Sequence, residues 1–172
     1  MVKISARNRR GFTILELTIA MTVSAALMAG LGMMIAQSLK SWSSGTSRAN
    51  SENAAAIAVD KLWMDIRPGS TATVSSDSTQ LTVQIPPLIT DANGEKYYDK
   101  SGTKTAYTYY VSNSILYRKI GSASATVFAR DISEAEFSCT GSNVTLTITA
   151  ANQVGSSQTE QECTTQVVMR NY

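Results

Sequence analysis

The sequence predicts an α+β protein in which a long N-terminal helix packs against an antiparallel β-sheet. Three observations predict this fold: 23 consecutive uncharged positions lie between Glu16 and Lys40, an amphipathic stripe follows them, and the hydrophobic period becomes alternating after residue 70. The 172 residues, 43% of them apolar, are enough for one domain with a hydrophobic core.

The uncharged segment predicts a membrane span. At about 1.5 Å per residue its helix is about 35 Å long, enough to cross the hydrocarbon core. Lys3, Arg7, Arg9 and Arg10 precede it, and this basic end is expected to stay in the cytoplasm while the bulk of the chain lies outside. A secretory signal would have a shorter apolar region followed by a cleavage site.

Glu16 is a carboxylate inside the start of the apolar region. Arg9 and Arg10 also suggest a twin-arginine export signal, but such a signal has no use for Glu16. A cut between Gly11 and Phe12 would create an ammonium group one helical turn from this carboxylate. Glu16 could then pair with the new amine of a neighbouring subunit and fix the register between packed helices.

These residues resemble the signal of type IV pilins and type II secretion pseudopilins: a basic leader, then Gly11-Phe12-Thr13-Ile14-Leu15-Glu16-Leu17, then an apolar helix. The resemblance implies that prepilin peptidase cuts after Gly11, that Phe12 is N-methylated and that Glu16 is the assembly glutamate. It divides the chain into a leader at 1–11, a transmembrane and assembly helix at 12–39, and an extracytoplasmic pilin-like domain at 40–172.

Beyond Lys40 the serine-rich segment 41–51, which also contains Gly45, predicts a bend or fraying of the helix. The helix is expected to resume in residues 51–67 and to end at Pro68-Gly69. A stripe that packs on the chain's own domain is formed by Ala55, Val59, Leu62 and Ile66, and Asp60, Lys61 and Asp65 fall away from it.

Six segments after residue 70 have strand signals, and a tight turn at Ser112-Asn113 is expected to join two of them. They lie at 80–85, 106–111, 114–118, 132–137, 143–148 and 164–169.

The order of the segments also resembles minor pilins and pseudopilins, most closely the J and W types. The residues that carry this second resemblance are Leu62, Asp65, Ile66 and Arg67 at the helix end, Tyr109, Val111, Leu116, Tyr117 and Arg118, then Phe128, Ala129, Asp131 and Ile132, and finally 167–171.

The chain has no histidine and two cysteines, which excludes Ser-His-Asp and Cys-His catalysis and supplies too few ligands for structural zinc. Cys139 and Cys163 lie 24 positions apart, and in an exported domain we expect them to form a disulfide worth about 3 kcal/mol. The alternative is two unpaired thiols.

Three further patterns have simpler structural interpretations. Asp91, Asn93 and Glu95, with Asp99 nearby, faintly resemble a calcium loop but predict an ordinary turn around Gly94. The SxxK pattern at 101–104, Ser101 to Lys104, lacks the helix start and companion motifs of serine acyl transferases. Asp131, Glu134 and Glu136 are expected to be solvated rather than to act as an acid and base. Tyr107, Tyr109 and Tyr117 are expected to form cross-strand pairs rather than to stack on DNA.

The resemblance therefore implies a non-enzymatic structural subunit without a cofactor or metal, first held in the inner membrane and then assembled into a pilus or pseudopilus. Its implied partners are other pilin or pseudopilin subunits, prepilin peptidase, an assembly ATPase and a platform protein, with no nucleic-acid site. The competing hypotheses are a membrane-anchored adhesin or DNA-uptake tip protein and a secreted enzyme with an unusual export signal.

Overall fold

The computed structural model describes residues 12–155 and 157–170. It contains one helix and ten strands within this part of the chain, and all strand pairs are antiparallel. The elements are α1 (Ile14–Ile66), β1 (Thr71–Val74), β2 (Gln80–Ile85), β3 (Leu88–Thr90), β4 (Lys96–Tyr98), β5 (Thr105–Ser112), β6 (Ile115–Ile120), β7 (Thr126–Arg130), β8 (Ile132–Thr140), β9 (Asn143–Val154) and β10 (Ser157–Val168).

The chain divides into two units, one that ends at Trp42 and one that begins at Ser43. Helix α1 contributes residues to both. In the first unit, every described side chain from Phe12 to Trp42 is exposed. The second unit contains the hydrophobic core and all the strands.

The predicted stripe of α1 is confirmed as the helix side of the core. Ala55, Val59, Leu62 and Ile66 are all buried, and Leu62 and Ile66 have no exposed surface. They pack with apolar residues that alternate along the strands, because successive side chains of a strand point to opposite faces. The largest of these buried strand residues are Leu81, Val83, Tyr109, Leu116, Ile132, Phe137, Val144, Leu146, Ile148 and Val167.

The predicted end of the helix at Pro68-Gly69 is also confirmed. The last helical residue is Ile66, and its carbonyl accepts a hydrogen bond from the Gly69 amide at 2.8 Å. A Cβ atom on Gly69 would lie 2.5 Å from Cγ1 of Val83. Glycine is therefore required here because the chain turns directly against β2.

The predicted bend or fraying at 41–51 is wrong, since α1 runs through this segment. Ser43, Ser47 and Ser51 recur at four-residue spacing and face the hairpin formed by β9 and β10. The Ser47 hydroxyl donates to the Asn152 carbonyl at 2.6 Å and lies 2.8 Å from the hydroxyl of Thr159. Tertiary hydrogen bonds of this kind offset the low helix propensity of serine.

The strands form a five-stranded sheet in the order β1-β2-β5-β6-β7, a three-stranded sheet in the order β10-β9-β8, and the β3-β4 hairpin. All six predicted strand segments are confirmed, and the helix on antiparallel sheets confirms the predicted α+β, pilin-like fold. Sequence reasoning missed β1, β3, β4 and β7, which have three to five residues each. Such short segments do not establish an alternating pattern.

The turn between β5 and β6 lies one residue later than predicted. Asn113 and Ser114 have φ angles of 51° and 58°, while Ser112 pairs with Ile115. Two central residues with positive φ are typical of a tight hairpin turn.

Candidate functional site

The beginning of α1 brings Glu16 together with Thr13. The Thr13 amide and hydroxyl both donate to Oε2 of Glu16, at 3.0 and 3.2 Å, and the Glu16 amide donates to the Thr13 hydroxyl at 3.2 Å. This reciprocal arrangement is a capping box, which satisfies amides that have no partner within the helix. Glu16 thus has a structural role in its own chain.

The capping interaction uses only one of the two carboxylate oxygens. Both Thr13 donors contact Oε2, so Oε1 has no hydrogen-bond partner within the described residues. An ionised carboxylate accepts several hydrogen bonds and can hold a cap and a second donor together. The geometry is therefore compatible with an ammonium group from another chain as the second donor.

Of the predicted cleavage pair, Gly11 lies outside the described residues. Phe12 is described, and 87% of its surface is exposed. The Thr-x-x-Glu spacing of Thr13 and Glu16 was a readable capping signal in the sequence, and its capping role was missed.

The helix surface after Glu16 is apolar and exposed. Exposed side chains along it include Leu27 at 64% and Met28 at 73%. This part of α1 is long and apolar enough to span a membrane, and its apolar window is not buried within the chain. An exposed helix surface of this predominantly apolar character requires a lipid or protein environment.

Two hydroxyl groups on this surface, those of Thr18 and Thr22, are satisfied by the helix itself. Thr18 donates to the Leu15 carbonyl at 2.9 Å, and Thr22 donates to the carbonyl of Ile19 at the same distance. Because these donors bond to the preceding turn, they do not need water. The segment can enter an apolar environment without leaving these donors unpaired.

The predicted Cys139–Cys163 disulfide is not formed, and both cysteines are free and partly exposed. Cys139 pairs with Val144, and Val144 pairs with Val167 on β10, four residues beyond Cys163. The two cysteines are thus two strands apart and four residues out of step, about 17 Å by standard strand spacings. A disulfide needs Cα atoms within about 7 Å, so the sheet register rules it out.

The other polar candidates have the simpler interpretations. Asp91 Oδ1 accepts the amides of Asn93 and Glu95, both at 2.9 Å, which closes the expected turn. Ser101 donates its hydroxyl to Asp99, and this hydrogen bond lowers the pKa of the Asp99 carboxyl. Within the described ranges, no three acidic or cysteine side chains are grouped to hold a metal ion. Asp131, Glu134 and Glu136 are all exposed.

The expected cross-strand pairing is confirmed for Tyr117, whereas Tyr109 packs differently. Tyr110 stacks on Tyr117 across β5 and β6, with ring centroids 5.6 Å apart, and Tyr109 is fully buried with its ring edge against Phe128. A buried ring cannot stack on a nucleic acid.

The helix and the five-stranded sheet share a polar cluster that sequence reasoning missed. Asp65, expected to point away from the stripe, accepts hydrogen bonds through Oδ2 from Arg118 at 2.8 Å and from the Tyr109 hydroxyl at 3.1 Å. Burial and then the neighbouring Asp65 raise the pKa of Tyr109, and the hydrogen bond to Asp65 raises the pKa of Arg118. The cluster fixes the helix register on the sheet.

Comparison with known families matches residues 6–32 to the prokaryotic N-terminal methylation motif, the type IV pilin signal. No curated protein and no solved structure matches the chain. The motif covers Phe12, Thr13 and Glu16 and most of the apolar helix. It supports a type IV pilin-like precursor that prepilin peptidase processes and that assembles with other pilin subunits, and it agrees with membrane anchoring through the helix.

Proposed function

We propose that the chain is a minor pilin or pseudopilin, a structural subunit of a type IV pilus or a type II secretion pseudopilus. The observation that carries this proposal is the methylation motif at residues 6–32, on a helix whose described apolar surface is exposed. Prepilin peptidase cuts between Gly11 and Phe12, and Phe12 is then N-methylated. The apolar helix remains attached to its domain and packs among the helices of other subunits.

Glu16 sets the register of this packing. Its Oε2 atom caps its own helix through Thr13, and Oε1 accepts the ammonium group of Phe12 from a neighbouring subunit. In an apolar bundle an unpaired charge is strongly penalised, so helices that place the pair together are selected over other registers. The same carboxylate therefore serves the helix before assembly and the subunit contact after it.

The polar cluster supports the assignment to a minor subunit of the J or W type. The segments that resemble those subunits include Asp65, Tyr109, Arg118 and Phe128. These four residues are neighbours in the folded domain, where Arg118 also lies over the Phe128 ring at 5.4 Å. Scattered segments of the resemblance thus meet in one structural feature.

We propose a structural rather than an enzymatic role for the domain. The hydroxyl of Ser101 is 2.6 Å from Asp99, and no general base is available from histidine, which the sequence lacks. The domain lies on the extracytoplasmic side of the inner membrane, because the basic leader precedes the apolar helix. The assembly ATPase and platform protein act from the cytoplasm and the membrane.

Co-expression of the full chain with a prepilin peptidase tests this proposal. N-terminal sequencing and intact-mass measurement should show that the mature chain begins at a methylated Phe12. Replacement of Gly11 by alanine should leave or slow processing, whereas a bulkier residue should block it. A mature chain that begins downstream of the apolar helix would instead favour a secreted protein.

Glu16→Val tests the register role of the carboxylate. The variant should be cleaved normally but incorporated poorly into filaments, as measured by immunoblotting of sheared filament fractions. The matched control is Glu52→Val, which removes a carboxylate that pairs with Arg48 on the exposed surface of the same helix at 2.8 Å. Equal incorporation of Glu16→Val and the control would contradict the register role.

A further inference from the structure

A surface cavity of 540 Å³ lies between the end of α1 and the β3-β4 hairpin. Its walls include Trp63, Tyr97 and Tyr98, which are 36%, 50% and 38% exposed, together with Arg67 and Arg170. Tryptophan, tyrosine and arginine are the residue types that most often dominate the binding energy of protein interfaces. The composition therefore points to recognition of a protein.

Arg67 is held in place for such a contact. Its guanidinium lies over the Trp63 ring at 4.4 Å, and its carbonyl accepts the Arg170 amide at 2.8 Å. A guanidinium stacked on an aromatic face keeps the N–H groups at its edge available for a carboxylate. The stacking also lowers the entropy that binding must remove from the arginine.

The described residues that line this cavity include two arginines and no carboxylate. The nearest acid along the helix, Asp65, is already occupied by Arg118 and Tyr109. On the hairpin side, Asp91 and Asp99 are bound to amides of their own turns. Among the described residues, no carboxylate forms an ion pair with Arg67 or Arg170, so their positive charge is available to a ligand.

We propose that this cavity binds an extended acidic segment of a partner protein. One carboxylate contacts Arg67 and Arg170, and the apolar parts of the segment pack on Trp63, Tyr97 and Tyr98. A nucleic acid fits less well, because two arginines form a small basic patch and the chain from Phe12 onward carries 11 basic and 13 acidic residues. This binding role goes beyond helix-mediated assembly and does not depend on it.

Trp63 provides a direct readout of binding. The chain has two tryptophans, so Trp42→Phe leaves Trp63 as the sole tryptophan in the full chain, which is kept in detergent micelles. The probe is a blocked peptide of about eight residues that alternates glutamate and proline, because aromatic-lined grooves bind extended proline-containing segments. Titration should give a saturable shift of Trp63 emission that weakens with added salt.

Two comparisons isolate the charge contribution. The same peptide with glutamine in place of glutamate, and the Arg67→Gln/Arg170→Gln variant with the original peptide, should each bind about tenfold more weakly. The matched control is Lys100→Gln/Arg130→Gln, which removes two exposed positive charges outside this cavity and should bind like the parent. Near-UV circular dichroism of the tyrosines verifies that each variant is folded.

The proposal would be overturned by the absence of a saturable shift, by equal binding of the glutamine peptide, or by unchanged binding by the Arg67→Gln/Arg170→Gln variant. Tighter binding of an oligothymidylate of equal length would also overturn it and assign the cavity to nucleic acid. None of these results would alter cleavage at Gly11 or the incorporation phenotype of Glu16→Val, so this proposal and the assembly role fail separately.

Discussion

Replacement of Asp65 by alanine should destabilise the domain, because it removes the shared acceptor of the polar cluster. The Asp65 carboxylate accepts a hydrogen bond from the Tyr109 hydroxyl and forms the ion pair with Arg118 at 2.8 Å. Arg118 Nε is already buried without a hydrogen-bond partner among the described residues. Removal of Asp65 would leave a buried hydroxyl and a partly buried guanidinium without their shared acceptor.

The size of the expected loss in unfolding free energy follows from how deeply Tyr109, Arg118 and Asp65 are buried. Tyr109 is fully buried, and a buried donor left unsatisfied costs about 1–3 kcal/mol. Breaking a fully buried ion pair costs about 3–5 kcal/mol, but the side chains of Arg118 and Asp65 are 30% and 26% exposed, which reduces that contribution to about 1 kcal/mol. We therefore expect Asp65→Ala to lower the free energy of unfolding by about 2–4 kcal/mol.

Guanidinium unfolding of the full chain in detergent, followed by near-UV circular dichroism of tyrosine, measures this change. The tyrosines all lie beyond residue 42, so the signal reports the domain that carries the cluster. Tyr109→Phe should cost only about 1 kcal/mol, because it removes one hydrogen bond and leaves the ion pair intact. A loss below 1 kcal/mol for Asp65→Ala, or equal losses for the two variants, would refute the reasoning.

Three further predictions concern the core, the tyrosine titration and the cysteines. Leu62→Ala should lower the free energy of unfolding by about 2–5 kcal/mol in the same assay, because Leu62 is fully buried in the core. The pKa of Tyr109 is raised in the folded domain, so the stability contributed by its protonated phenol should be complete below the unfolded pKa of 10.0 and be lost as pH rises through the folded pKa. An absorbance titration should show the Tyr109 phenolate only when the domain unfolds. The Tyr109→Phe variant should lack this absorbance change. Alkylation of the unreduced, unfolded chain should modify both Cys139 and Cys163 in the mass spectrum, whereas an unmodified pair would restore the disulfide hypothesis.

Local sequence patterns predicted much of the fold and the amino-terminal site. The stripe through Leu62 and Ile66 identified the buried side of the helix, because apolar residues at helical spacing lie on one face and that face packs on the core. The end of the helix at Pro68-Gly69 was likewise predicted from neighbouring residues alone, because proline disfavours helical geometry in the residue before it. Glu16 was singled out because a charge stands out in an apolar run, although its hydrogen bonds to Thr13 required the capping geometry to be recognised.

Features that depend on distant partners were not readable in this way. The low helix propensity of 41–51 predicted a bend or fraying. Hydrogen bonds that join Ser47 with Asn152 and Thr159, more than 100 residues away, reverse that outcome. The Asp65–Arg118 pair likewise joins a helix to a strand, and nothing in the spacing of these residues indicates their contact.

The sequence by itself determined the apolar helix, its acidic residue near the start, the buried stripe and the six longer strands, because each depends on residues within a few turns or strand steps. The tertiary structure alone decided the sheet order, the separation of Cys139 from Cys163 and the polar cluster around Asp65. Strand register sets which distant side chains become neighbours, and a pattern along the chain specifies the face on which a residue lies but not the partner across from it.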